Sequence, residues 1–164
     1  MKKLRILPYN QNFSEKFQKE KNRISKIIKD CEIHHIGSTA VSGLGGKGII
    51  DIMIGIKSWE ETKEIVKKLK RLGFTHIHPK ENSRIFLSKD PKLSLKNIHI
   101  HIAKKGSKPH KELLAFRDYL RKNKKEAERY YNLKLKLLRG SKGNRKKYNK
   151  LKEKYIKEIL KLKS

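Results

Sequence analysis

The sequence predicts an α+β fold: a mixed β-sheet flanked by helices, followed by a C-terminal helical part. Three observations predict it. A glycine-rich loop at residues 37–48 joins two short apolar runs. Ile98, Ile100 and Ile102 alternate with polar residues, the two-residue period of a half-buried strand. After Ala103 only helical spacing remains.

The elements follow in order. Residues 4–9 read as a short extended lead-in closed by Pro8. Phe13, Phe17, Ile24, Ile27 and Ile28 share one helical face over residues 13–29, with Asn12 or Ser14 as cap. A strand at 32–36 turns Ile33 and His35 to one face, and Glu32, His34 and Ile36 to the other. The loop leads to residues 49–56, a nearly continuous apolar run like a strand covered on both faces. Its exception is Asp51, and an acid there needs a metal, a lysine such as Lys47, or backbone N–H groups. Ser58 with Glu61 fits a capping box for a helix that runs to about Leu72 and stops at Gly73. Strands at 74–78 and 84–88 surround a turn at 79–82, and a polar turn at 89–96 precedes a strand at 97–103. Helices then start at His110, restart after Asn123, and restart again after a turn at 140–143.

A chain of 164 residues suits one unit, read as an αβ core at 1–103 and a basic helical part at 104–164. The net charge is +28, with +11 in the first part and +17 in the second. Such a field attracts anions: nucleotides, other phosphorylated small molecules, and nucleic acid. A lysine bias from genome composition or a hot habitat gives the same count. The single cysteine, Cys31, allows no internal disulfide and suits a reducing cytoplasm. No apolar run approaches the roughly 18 residues of a membrane span, so no membrane partner is expected. Nothing in the sequence specifies an oligomeric state.

Three groups carry the chemistry. Gly37 and Ser38 can offer backbone and hydroxyl donors to phosphate, and Asp51 can hold a divalent cation bridging phosphates. His99 and His101 lie on one strand face about 6–7 Å apart, as metal ligands or a general base, with His35 able to join them. Histidine ligands beside one acid favour zinc or manganese over magnesium. Lys47, Arg84, Lys111 and Arg117 are cationic candidates for phosphate. Tyr130, Tyr131, Tyr148 and Tyr155 sit among lysines, where they can stack bases or, at helical spacing, pack helix on helix.

The run 35–41, HIGSTAV, with Gly43-Leu44, Lys47 and 49–52, IIDI, resembles the GrpB family (UPF0157). So do 99–102, HIHI, and 114–120, LAFRDYL, in the same order over nearly the whole chain. The resemblance implies the nucleotidyltransferase superfold of DNA polymerase beta, and a predicted transfer of a nucleoside monophosphate from an NTP to an acceptor. It implies Asp51, His99 and His101 as catalytic candidates, and Asp51, His35, His99 and His101 as ligands for Mg, Mn or Zn. Gly37, Ser38, Thr39, Lys47 and Arg117 become the nucleotide-binding candidates. A similar domain is fused to dephospho-CoA kinase in some bacteria, which implies nucleotide or coenzyme A chemistry.

Two departures matter. The superfamily places a second acid two residues after the first, and here that residue is Met53. This favours, as the alternative, a binding module that kept the fold and lost the chemistry; a basic nucleic-acid-binding protein is the other. Ser42 and Gly48 stand where the family commonly has prolines, which predicts a more flexible loop.

Overall fold

The computed structural model of the chain describes residues 5–81, 83–89, 98–142 and 144–161. The lead-in residue Leu4, most of the expected 89–96 turn, the first strand position Asn97 and the last apolar helix position Leu162 lie outside them. Helix α1 is Asn12–Ile27, strand β1 is Glu32–Ile36 and strand β2 is Ile50–Ile56. Helix α2 is Thr62–Arg71, β3 is His76–Glu81, β4 is Arg84–Ser88 and β5 is Ile98–Lys104. Three helices close the chain: α3 at Lys108–Lys122, α4 at Lys124–Gly140 and α5 at Arg145–Lys161.

Among the described residues the strands form one sheet in the order β1-β2-β5-β4-β3. Only β2 and β5 run parallel; the other pairs are antiparallel. The sheet is therefore mixed, as expected. Its two faces follow the period of two. Ile33, Ile50, Ile52, Ile54, Ile56, Ile100 and Ile102 turn to α1 and α2, where they meet Phe13, Ile24, Ile65 and Leu69. On the other face Ile36, Met53 and Ala103 meet Leu113 and Leu114 of α3. A further cluster joins Val41 and Leu44 of the loop to Phe116, Leu120, Tyr130 and Ile159 of the closing helices.

The helix ends show small shifts. Ser58 caps a 3-10 turn, Trp59–Glu61, by accepting the Glu60 amide, and α2 begins only afterwards. Helix α3 begins two residues before His110 because Pro109 fits a first turn and Ser107 is extended before it. The tyrosines resolve as packing. Tyr130 and Tyr148 are buried, and Tyr130 stacks on Tyr155 at 5.3 Å and meets Phe116 edge-on at 5.3 Å.

Ile54 has no exposed surface and lies between the central strands and both helices of its layer. Ile54→Ala is expected to lower unfolding stability by about 2–5 kcal/mol, read from the urea midpoint at unchanged slope.

Candidate active site

Asp51 sits near the start of β2, on the face turned to α3. Parallel pairing sets His99 beside it and His101 beside Met53. The Asp51 Oδ1 atom lies 3.2 Å from His101 Nε2 and 3.4 Å from His99 Nδ1. A carboxylate only accepts, so the ring nitrogens that face it must carry N–H. The far nitrogens, His99 Nε2 and His101 Nδ1, are buried without a hydrogen-bond partner. Phe86 of β4 packs against both rings, at 4.8 Å and 5.1 Å between centroids.

These contacts set the charge of the site. Burial pushes the Asp51 carboxyl up, but His101 and His99 outweigh it and hold the group well below the usual carboxylate range. Burial lowers His101 against the opposing pull of Asp51, so the imidazole is neutral at physiological pH. Asp51 and His101 are thus an ionised acid beside a neutral donor.

The loop lies across this acid. Gly37 has φ +73°, and a Cβ there would stand 2.6 Å from Asp51 Oδ2. Glycine is therefore required twice, for the backbone and for the close approach. Ser38–Ala40 then form one 3-10 turn. Three cations from the closing helices hold the chain through carbonyl oxygens. Arg117 Nη1 donates to His35 O at 3.0 Å, Arg121 Nε donates to Ala40 O at 2.8 Å, and Lys134 Nζ donates to Gly45 O. Leu7 and Gly46 exchange backbone hydrogen bonds from the other side. The flexibility expected from Ser42 and Gly48 is thus countered by tertiary ties. Gly48 also has φ +72°, a value closed to the family's proline.

A cavity of about 540 Å³ opens between the sheet and the three closing helices. Gly37, Ser38, Thr39, Lys47, Asp51, His99 and His101 reach it, as does Arg84. Lys47 Nζ lies 3.3 Å from Asn149 Oδ1 and 4.8 Å from the centre of the Tyr148 ring.

Three candidates are placed elsewhere, among them Lys111, exposed on α3 and outside the cavity lining. His35 faces α1, stacked on Phe17 at 4.5 Å, because adjacent strand residues point oppositely. Its Nε2 lies 2.9 Å from Thr39 Oγ1, which donates to Ile49 O at 3.0 Å. Burial pushes His35 down to about 4, with Arg121 and Arg117 adding to the fall against Asp51. His35 is therefore corrected from metal ligand to a neutral support of the loop, and the Thr39 hydroxyl is spent on the same support. Arg117 is corrected as well: its guanidinium is consumed by His35 O and Asp118, at 2.8 Å, outside the cavity lining.

Sequence reasoning passed over Lys134. It lies on α4, is 2 % exposed, and reaches Ser38 Oγ at 3.1 Å. Tyr130 and Tyr131 lie under its ammonium at 4.8 Å and 5.9 Å. Burial brings it down to about 7, with Lys152 and Lys47 contributing. The only sequence signal was a lysine amid an apolar helical face, which is hidden among 44 basic residues.

The donor set decides what cation would fit. Both imidazoles aim at one oxygen rather than at a shared vacancy. Asp51, His99 and His101 do not form a set with donor atoms all within 4.8 Å of one another; among the described residues only Glu32, His34 and His110 do. Asp51 by itself fits a hard cation that takes its remaining ligands from phosphate and water.

A mixed sheet with a glycine-serine turn before a strand that opens on an acid is a nucleotidyltransferase-like fold. Solved structures agree: a poly(U) polymerase, Cid1, bound to MgGTP superposes with TM-score 0.51 at 17% identity, over 82% of this chain and 43% of that one. A cytoplasmic RNA terminal U-transferase gives TM-score 0.53 at 14% identity, over 78% and 42%. Within that class the chain belongs to the GrpB protein family, whose sequence profile matches residues 3–162. A crystal structure of the conserved protein GrpB from Enterococcus faecalis superposes with TM-score 0.79 at 29% identity, over 96% of this chain and 98% of that one. The glutamate-rich protein GrpB of Alkalihalophilus pseudofirmus is 28% identical over 94% of this chain and 92% of its own. The UPF0157 protein YqkA of Bacillus subtilis is 33% identical over 83% of this chain and 40% of its own. No helix of the described residues is long and apolar enough to cross a membrane.

Two outcomes test the site's packing. Gly37→Ala is expected to cost about 1–3 kcal/mol of stability and to displace the Asp51 carboxylate, visible as a shift of the His101 ring signals in NMR. Lys134 sheds its proton in the folded chain near pH 7 and in the unfolded chain only near its ordinary value. Between about pH 7 and about pH 10 the unfolded chain binds more protons, so stability rises with pH there. Lys134→Met is expected to remove that part of the rise, on the order of a few kcal/mol, in denaturant melts taken at successive pH values. An unchanged slope would show that Lys134 is charged when folded.

Proposed function

We propose that this protein is a metal-dependent nucleotidyltransferase that moves a nucleoside monophosphate from an NTP to an acceptor. The observation that carries this reading is one cavity lined by an ionised acid, a glycine-serine turn and two lysines, Lys47 and Lys134. Ser38, Lys47 and Lys134 hold the triphosphate, and Asp51 holds a magnesium- or manganese-like cation. That cation stabilises charge on the transferred phosphate and its leaving group. The acceptor oxygen attacks the α-phosphorus in line, and the bond to pyrophosphate breaks. His99 and His101 act through Asp51, fixing the oxygen that must not swing.

Met53 supports a second reading, a nucleotide-binding module without transfer. It is wholly buried against Ile36 and Ala103, so the second acid's position is closed into the core. The two readings separate in one experiment. Protein with manganese or magnesium and labelled NTP is expected to release pyrophosphate, and Asp51→Asn to reduce release about a hundredfold or more. Absence of pyrophosphate with a nucleotide-dependent rise in Tm would establish the binding module. If Asp51→Asn changes neither transfer nor nucleotide binding, both readings of the cavity are wrong.

A further inference from the structure

We propose that Glu32, His34 and His110 form a binding site for one zinc-like divalent transition cation, separate from the Asp51 cavity. Glu32 and His34 alternate on β1 and face α3, and His110 lies in the first turn of α3 directly above them. Glu32 Oε2 stands 3.4 Å from His34 Nε2 and 3.4 Å from His110 Nε2. The three donor atoms lie within 4.8 Å of one another. Ligands about 2.1 Å from a tetrahedral zinc ion are about 3.4 Å apart, so two edges of the site are already at length. The third closes by rotation of His34, which is 33% exposed and free to adjust.

The independent observation is His110. Its side chain is 8% exposed, and its buried Nε2 faces Glu32 Oε2 at 3.4 Å without hydrogen-bond geometry, pointing into this group. The fold makes room for it. Gly55 lies beneath the ring, and a Cβ there would come within 3.1 Å of Nε2. Lys105 pairs with Glu32 Oε1 and leaves Oε2 to face the two imidazoles. Two imidazoles and one carboxylate oxygen suit zinc, cobalt or nickel rather than magnesium.

One contact must change on binding. The Gly106 amide donates to His110 Nδ1 at 3.3 Å, which places the ring proton on Nε2. A cation on Nε2 requires the proton on Nδ1, so the Gly106 amide turns aside. That bond is long, and Gly106, at φ +76° with no neighbour near a Cβ position, has room to move. The new site is distinct from the cavity because Glu32 pairs with Gly55 while Asp51 pairs with Ile36, about 13 Å along the strands. A cation here ties β1 to α3, and α3 carries Arg117 and Arg121, which hold His35 O just before the loop and Ala40 O within it. The role is therefore a clip on the helix that positions the cavity, and it does not depend on the transferase reading.

The test is cobalt titration of untagged, chelator-stripped protein in the Asp51→Asn background, which removes the carboxylate of the other centre. One cobalt ion is expected, with the visible absorption of a low-coordinate site, displaced by zinc with a rise in Tm. His34→Ala and Glu32→Gln, both at half-exposed positions, are expected to weaken binding by more than the 10–100-fold typical of an outer-shell partner. Lys105→Met is expected to keep the cobalt spectrum and tighten binding, since it removes a rival cation. Failure to bind cobalt, or binding unaltered in both His34→Ala and Glu32→Gln, would overturn the proposal.

Discussion

Everything near the cavity depends on how one carboxylate is held within an apolar strand. Asp51 interrupts the apolar run of the second strand, and burial alone would push its carboxyl up. Two imidazoles on the neighbouring parallel strand keep it ionised instead. Register makes this possible: a parallel pairing of β2 with β5 sets Asp51 beside His99 with His101 one step on. Sliding that pairing by one residue would send both rings into the isoleucine layer.

The loop above Asp51 is made of residues with little intrinsic preference for any conformation. It is shaped from outside. Arg121 on α3 and Lys134 on α4 each donate to one of its carbonyls, Arg117 holds His35 O in β1 just before it, and Leu7 pairs with Gly46 from the opposite side. Helices that look like a basic tail are thus the outer wall of the loop. Arg117 and Arg121 are spent largely on backbone carbonyls, whereas Lys134 also reaches Ser38 at the cavity. This distinction matters for function, because a count of basic residues treats both kinds alike.

The face that carries Asp51 is chemically polarised along its length. At one end lie the acid, the phosphate-sized turn and the lysines. Between the two ends Met53, wholly buried, closes the sheet against α3. At the other end Glu32, His34 and His110 gather three donors. Hydrophobic packing in the middle keeps the two polar ends from merging.

The sequence by itself determined the strand and helix order, the mixed sheet, the loop and the lone acid. Those features rest on local period and on glycine, which every short segment carries within itself. It also located Asp51 beside His99 and His101, since the family pattern fixes the order of those strands. It misassigned His35 and Arg117, because a strand's two faces and a guanidinium's target are set by what packs on them. Lys134 and the cluster at Glu32, His34 and His110 were beyond its reach. Residues separated by about 80–100 positions meet there only after α3 and α4 fold back on the sheet, and no local signal encodes that meeting.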